Sequence, residues 1–157
     1  MSKKYISISN DRLSHMLSVA RKCYEIAKKE GFEEDFCRKM WLIGWLHDIG
    51  YEFTTEKEKH PDISVELIQN LYVNINDVDI NAIKYHGRNP KKITDEWRIL
   101  NTADMLIDSK GNDVGVMARL EDIECRFGRY SDTYLTACDV AYLCGLTAIN
   151  IARMEEW

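Results

Sequence analysis

The apolar residues of this chain recur mostly at intervals of three and four positions, which is the period of an α-helix. No segment alternates between apolar and polar residues as a half-buried strand does. Glycines, prolines and polar clusters separate the periodic segments, and there is no repeat or linker that would divide the chain. The pattern predicts an all-α fold, a single-domain bundle of about six to seven helices over residues 1–157.

The first two helices have the clearest patterns. The first is predicted to start at a cap on Asn10 or Asp11 and to end before Gly31. Its apolar stripe comprises Leu13, Met16, Leu17, Ala20, Tyr24 and Ala27. The second, over about 34–49, is apolar nearly all round in its later half, which indicates a central, buried helix ended by Gly50.

The later helices are placed by capping residues, prolines and glycines. They are predicted to begin near Pro61, Asn76 or Asp77, Thr94, Asp113 and Asp132, and to end near Leu71, Gly87, Ile107, Phe127 and Met154. The polar, charged segment 52–59 is predicted to be a loop. Three tryptophans are assigned to the core: Trp41, Trp45 and Trp97.

The composition of the chain argues against several classes of function. A net charge of −5 argues against a general partner of nucleic-acid polymers, which needs a basic surface. No apolar stretch can span a bilayer, and the N-terminal residues lack the apolar region of a secretory signal. The cysteines lie in apolar helical segments without a Cys-x-x-Cys pair, so we expect reduced core thiols in a cytoplasmic protein. They are Cys23, Cys37, Cys125, Cys138 and Cys144.

Asp104 lies on an apolar stripe with Trp97 and Leu100. An ionised carboxylate buried without a partner costs several kcal/mol. That is a large share of the roughly 5–15 kcal/mol that stabilises a domain. We therefore expect a metal, a cation or a network of donors beside Asp104. Arg98, Arg119 or a histidine could supply a simple ion pair.

His47 and Asp48 interrupt the apolar run of the second helix. Asp48 lies on the same side of this helix as Trp41 and Trp45, so it is not on a charged face. The other histidines lie at predicted helix ends or on inward faces. Any one of them alone is more often structural than a metal ligand. Together with the two aspartates they form a set of the donors preferred by Fe, Mn, Co, Ni and Zn. The set is His15, His47, His60, His86, Asp48 and Asp104.

The tetrapeptide His47-Asp48-Ile49-Gly50 resembles the HDIG signature of the HD-domain superfamily of metal-dependent phosphohydrolases. An earlier histidine, His15, and a late aspartate, Asp104 in "NTADMLID", occur in the order typical of that family. The resemblance covers about residues 10–108, and the helices over 113–154 would support the fold. It implies that a metal-activated hydroxide hydrolyses a phosphoester or phosphoanhydride of a nucleotide or related small phosphate.

His60 and His86 lie between the doublet and the late aspartate, as in two-metal members such as the small bacterial diadenosine tetraphosphate hydrolases of the YqeK type. By this resemblance Asp48 bridges two divalent ions and activates hydroxide, and His47 assists catalysis. One ion would be bound by His15, His47, Asp48 and Asp104, and the other by Asp48, His60 and His86. The expected ions are Fe, Mn, Co or Ni, with Zn or Mg as alternatives. Tyr51 stands where many members have lysine, and the GYP tripeptide of the cyclic-dinucleotide branch is missing.

Arg88, directly after His86 and Gly87, is the candidate for binding the substrate phosphate, because a guanidinium can donate two parallel hydrogen bonds. A solvated surface arginine is an equally simple interpretation. Tyr51 and Phe53 could stack on a base, although a hydrophobic seal is the simpler role. The nearby lysines are expected to be mainly solvated charges that could steer an anion. They are Lys57, Lys59, Lys91 and Lys92.

Two other functions remain open. One is a one-metal enzyme similar to 5′-nucleotidases, in which His60 and His86 bind phosphate. The other is a non-catalytic nucleotide-binding or regulatory module in which the metal only stabilises the fold. A homodimer formed through the apolar last helix and Trp157 is also possible.

Overall fold

The computed structural model describes residues 7–71 and 75–147, and within these ranges the chain is helical without a strand. The predicted all-α fold is confirmed. A short 3₁₀ turn, Ile49–Glu52, follows the second helix. The helices are α1 Asn10–Lys29, α2 Glu34–Leu46, α3 His60–Leu71, α4 Asp77–Lys84, α5 Asp95–Leu106, α6 Val116–Phe127 and α7 Asp132–Leu143.

Four helices begin at a side-chain cap that accepts a hydrogen bond from a backbone N–H three residues later. The caps are Ser9, Asn76, Thr94 and Ser131. Ser9 caps α1, so the predicted caps Asn10 and Asp11 are wrong, and Ser131 rather than Asp132 caps α7. Asp11 and Asp132 lie inside the first turn, where a carboxylate still interacts favourably with the helix dipole.

The core lies where α1, α2 and α5 pack against one another, with α4 and α7 covering α5. Gly44 permits the close approach of α1 and α2, since a Cβ atom there would lie 2.8 Å from the Ala20 Cα. Trp97 is buried in this core, as predicted, and its indole N–H donates to the Tyr85 carbonyl oxygen at 3.0 Å. Trp41 and Trp45 are only half-buried, and their rings stack on each other. Trp45 still packs against the core from its edge, whereas the assignment of Trp41 to the core is wrong.

The buried face of α1 matches the predicted stripe in part, since Met16, Ala20 and Ala27 are buried. Leu13 is 39% exposed, whereas His15 is buried together with Val19 and Cys23. The apolar spacing alone missed His15 because the inward face of α1 begins with this polar side chain. Among the cysteines, which are all free thiols, Cys125 is exposed and Cys144 half-buried, contrary to the predicted core positions.

Three helices end earlier than predicted, and one of them is α4, which stops at Lys84 rather than beside Gly87. α2 stops at Leu46 rather than Ile49, because Asp48 leaves the helical conformation with φ −107° and ψ 11°. α7 stops at Leu143, and Gly145 then adopts φ +74°, a left-handed conformation that favours glycine after a helix end. The predicted continuation to Met154 is therefore wrong at Leu143. Residues 148–157, which include Trp157, lie outside the described residues. None of the described helices has the length and apolar character needed to cross a bilayer.

Candidate metal centre

The six side chains singled out in the sequence converge at one place in the structure. All four histidines and Asp48 are buried, and the side chain of Asp104 is 19% exposed. His60 lies in the first turn of α3. The six residues come from α1 (His15), the end of α2 (His47 and Asp48), α3 (His60), the turn after α4 (His86) and α5 (Asp104).

Asp48 lies at the middle of this cluster and directs its two oxygens to different sides. Its Oδ2 lies 3.2 Å from His47 Nε2 and 3.5 Å from His15 Nε2. Its Oδ1 lies 2.9 Å from His60 Nε2 and 3.3 Å from His86 Nε2. The cluster therefore has two halves that share one carboxylate.

Asp104 closes the first half. Its Oδ1 lies 2.9 Å from His15 Nε2 and 3.4 Å from His47 Nε2. The donor atoms of these three residues lie within 4.8 Å of one another, and so do those of His47, Asp48 and His86. His60 joins the second half, since its Nε2 lies 2.8 Å from His86 Nε2.

Backbone carbonyl oxygens orient all four imidazoles. Each Nδ1 lies at hydrogen-bond distance from one such oxygen, which makes Nδ1 the N–H donor and leaves the Nε2 lone pair facing the centre. The acceptors are Asp108 for His15, Gly44 for His47, Lys57 for His60 and Ile83 for His86, at 2.5–2.8 Å. Metal-binding histidines are typically held in this way.

This orientation fits a metal ion. With Nδ1 as the donor, the Nε2 atoms of His60 and His86 are two acceptors that face each other and the Asp48 carboxylate. His47 Nε2 is buried without a hydrogen-bond partner in the described part of the chain. Imidazole nitrogens around two carboxylates suit divalent transition metals. The residues present could therefore hold such ions.

The electrostatics of the centre keep both carboxylates ionised. Burial would raise the pKa of Asp48 and of Asp104, but contacts with the histidines hold both pKa values well below their usual range. Burial opposes a charge on His47, yet Asp48 and Asp104 outweigh it and raise the pKa of His47 to about 10. Imidazole binds a metal ion only in its neutral form, so we expect metal affinity to fall as the pH is lowered.

Arg12 is a member of the site that sequence reasoning missed. Its Nη1 donates to Asp48 Oδ2 at 2.8 Å, and its guanidinium carbon lies 4.2 Å from the centre of the Tyr51 ring. The other face of Tyr51 stacks on His60, with ring centres 4.1 Å apart. Arg12 precedes His15 by three positions, which places both on one face of α1. That spacing was the signal available in the sequence.

Asn101 is a second missed residue, and it holds the turn that carries His86. Its Oδ1 accepts a hydrogen bond from the Gly87 N–H at 2.7 Å, and its Nδ2 donates to the Trp97 carbonyl oxygen at 2.8 Å. Asn101 is 1% exposed, so both contacts are shielded from water. In the sequence, Asn101 could have been found as a polar residue within the apolar pattern of α5.

A cavity of about 480 Å³ opens from this centre towards α6 and α7. Its volume is that of sites for small organic ligands. Arg12 and Tyr51 line it near the centre, and Lys57, Arg119 and Arg126 line it farther away.

The residues predicted to bind or attract the substrate differ in their contacts and in whether they line the cavity. Arg88 lines the cavity, but its guanidinium donates to the Asp62 carboxylate at 3.2 Å and to the Glu58 carbonyl oxygen. Its role as a phosphate ligand stays a prediction. Lys59 pairs with Glu56 at 2.6 Å. Lys91, Lys92 and Phe53 are not among the residues that line the cavity.

Comparison with protein-family models finds a match to the HD domain over residues 12–107, which is more than half of the chain. The matched segment begins at Arg12 and contains all six residues of the centre. Comparisons with curated proteins and with solved structures found no match. The narrower resemblance to the YqeK type is therefore not confirmed.

Proposed function

The chain belongs to the HD domain family, whose members are mostly metal-dependent hydrolases, and on this premise we propose that it is a metal-dependent phosphohydrolase. The proposed substrate is a nucleotide or a related small phosphate. The supporting observation is that four imidazoles present Nε2 to two carboxylates at the end of a cavity large enough for a nucleotide.

The two oxygens of Asp48 support a two-ion arrangement. In the proposed assignment, one ion lies on the Oδ2 side with His15, His47 and Asp104. A second lies on the Oδ1 side with His60 and His86. Bound divalent ions would supply an activated water at neutral pH and neutralise charge on the phosphoryl group.

The chain's own residues position the substrate. Arg12, whose side chain is 29% exposed, lies at the rim of the centre and is held in place by the Tyr51 ring. Its planar fork is suited to two oxygens of a phosphate group. In the hydrolysis, the water oxygen bonds to phosphorus while the bond from phosphorus to the leaving oxygen breaks. The leaving oxygen takes up a proton, so water is the only co-reactant.

The test is a panel of phosphoesters and nucleotides assayed with Mn, Fe, Co or Ni, together with a metal count on the purified protein. We expect phosphate release that a chelator abolishes, and about two ions per chain. Asp48→Asn should reduce turnover by at least about a hundredfold, since it removes the carboxylate shared by both halves. His60→Ala should lose one ion.

Asp79→Asn is the matched control. Asp79 is also a buried carboxylate, but it pairs with Lys39 at 3.2 Å and lies outside the centre. This variant should keep its activity and both ions. A fully metallated protein that hydrolyses no member of the panel would contradict the proposed activity and favour a metal-stabilised binding module. A single ion that survives His60→Ala would favour the one-metal alternative.

A further inference from the structure

Three basic side chains form what we call the basic wall of the cavity, which the acids Glu58 and Asp132 also line. Part of this wall lies outside the matched family segment. Arg119 and Arg126 belong to α6, beyond residue 107, and Lys57 lies in the loop before α3. All three line the same cavity as the metal centre. Arg119 and Arg126 thus lie outside the segment that the family model matches, and Lys57 lies inside it.

Arg119 is a half-buried cation whose buried Nε is an unused hydrogen-bond donor. Its side chain is 12% exposed, and its Nε has no hydrogen-bond partner in the described part of the chain. Its Nη1 lies 3.8 Å from Asp122 Oδ2, which is too long for a hydrogen bond. That same oxygen accepts a hydrogen bond from Arg126 at 2.7 Å. A buried guanidinium N–H without an acceptor is costly, so this position favours an anionic ligand.

Lys57 connects the basic wall to the centre. Its Nζ lies 4.7 Å from the centre of the Phe127 ring, and the described residues include no carboxylate paired with it. Lys57 is an exposed residue, and partial desolvation by its neighbours lowers its pKa. The charge of Asp104 opposes this shift, and Arg119 and Arg126 add to it. Lys57 thus lies within electrostatic range of both the metal centre and Arg119.

We propose that Arg119 and Lys57 bind a second phosphate group of the substrate, so that the enzyme acts on phosphoanhydride-linked compounds such as nucleoside di- or triphosphates. This inference rests on the proposed function of the same centre. A monophosphate held at the centre would leave Arg119 without an acceptor. A chain of phosphates that extends along the cavity places further negative charge against the basic wall. Arg88 is less suited to this role because Asp62 already neutralises it.

Calorimetry with the Mn-loaded protein tests the binding step without turnover. The two probes are a triphosphate analogue with methylene groups in place of both bridging oxygens, and methylphosphonate, which has a single phosphonate. We expect Arg119→Gln to weaken binding of the triphosphate analogue about tenfold or more, the loss typical of one charge-assisted hydrogen-bonded pair. Binding of methylphosphonate should change little. Lys57→Gln should act in the same direction, which gives a second readout should Arg119→Gln fold poorly.

Arg38→Gln is the matched control, because Arg38 is an exposed arginine on α2 that pairs only with Glu34 among its described contacts. It removes the same charge and should leave both affinities unchanged. In kinetic assays, Arg119→Gln should raise KM for a nucleoside triphosphate without changing the kinetics of a nucleoside monophosphate.

The two proposals fail in different ways. If the wild type hydrolyses nucleotides but Arg119→Gln and Lys57→Gln bind the triphosphate analogue as the wild type does, the second phosphate site is refuted and the enzyme activity stands. If the analogue binds through Arg119 but no phosphate compound is cleaved, the site stands and the phosphohydrolase proposal is refuted. A loss of affinity equal for both probes would also overturn this inference, since it would place Arg119 at the first phosphate.

Discussion

Gly50 allows the segment that carries Asp48 to lie close to α3, the helix that carries His60. A Cβ atom at position 50 would overlap the His60 carbonyl oxygen and lie 2.8 Å from the Ser64 backbone nitrogen. Both neighbours are backbone atoms of α3, so they cannot move without displacing His60. The Gly50 N–H donates to Ser64 Oγ at 2.7 Å, which holds the two segments together. The glycine is therefore required by close packing, rather than as the end of α2.

Gly50→Ala should lower the free energy of unfolding by about 1–3 kcal/mol, the usual range for overpacking. It should also weaken metal binding, because α3 must shift and take His60 with it. Urea denaturation and a metal titration measure the two effects. Gly128→Ala is the control: Gly128 has φ +96° with no atom near the added Cβ, so this variant costs backbone strain of about 1–3 kcal/mol. Equal metal affinities in the two variants would contradict this role of Gly50.

The partners of Asp104 show which residues of the site could be predicted from sequence. A carboxylate on an apolar stripe required a partner, but its identity among Arg98, Arg119 and the histidines depended on packing. Arg98 forms a double hydrogen bond with Glu30, at 2.6 and 2.9 Å, and Arg119 lines the cavity. The residues beside the Asp104 carboxylate are His15 and His47. Arg12 and Asn101 were missed because an arginine or asparagine on a helix is ordinarily a surface residue.

At the scale of the helices, starts were more predictable than ends. Four starts depend on one local capping side chain, and every predicted start lay within a few residues of the observed one. The early end of α2 at Leu46 was missed because the apolar pattern continues to Ile49. The end of α7 at Gly145 was missed because apolar residues continue beyond this glycine. The inward position of His15 on α1 likewise follows from the centre to which this histidine belongs.

At the corner between α1 and α2, Glu34 links the two helices through contacts that depend on its charge. Glu34, in the first turn of α2, accepts hydrogen bonds from Tyr24 Oη at 2.7 Å and from Lys28 Nζ at 2.9 Å. These contacts lower the pKa of Glu34 to about 2. Because this pKa is lower in the folded state, the stabilisation is present above the ordinary value of 4.5 and is lost as the pH falls towards 2.

Glu34→Gln should therefore lower the Tm at neutral pH by a small amount and leave it nearly unchanged near pH 2. The difference in Tm between the wild type and the variant should shrink as the pH falls from about 4.5 to 2, as a pH series of thermal melts would show. Asp35→Asn is the matched control, since Asp35 is an exposed acid in the same turn of α2. A difference in Tm that is independent of pH would contradict the assigned role of Glu34.

At the scale of the whole molecule, the centre depends on the packing of α1 to α5 together. Its six side chains come from five segments that are distant in sequence, from His15 to Asp104. The unfolded chain has no such arrangement of donors, so metal binding is coupled to global folding. The wall made by α6 and α7 contributes to the cavity but supplies no donor to the centre. Substitutions there should alter ligand affinity and leave metal affinity unchanged.

Removal of metal should therefore destabilise the entire fold. Metal at about a hundred times its Kd should raise the free energy of unfolding by about 2.7 kcal/mol for one site. Urea unfolding of chelated and Mn-loaded protein measures this difference. Asp104→Asn should lose the part of the metal-dependent increase that comes from the first half of the centre, because that half then lacks one of its two carboxylates. Arg119→Gln should keep the increase in full. If chelated and Mn-loaded wild-type protein unfold at the same urea concentration, the cluster does not bind Mn, and the coupling of this centre to folding is refuted.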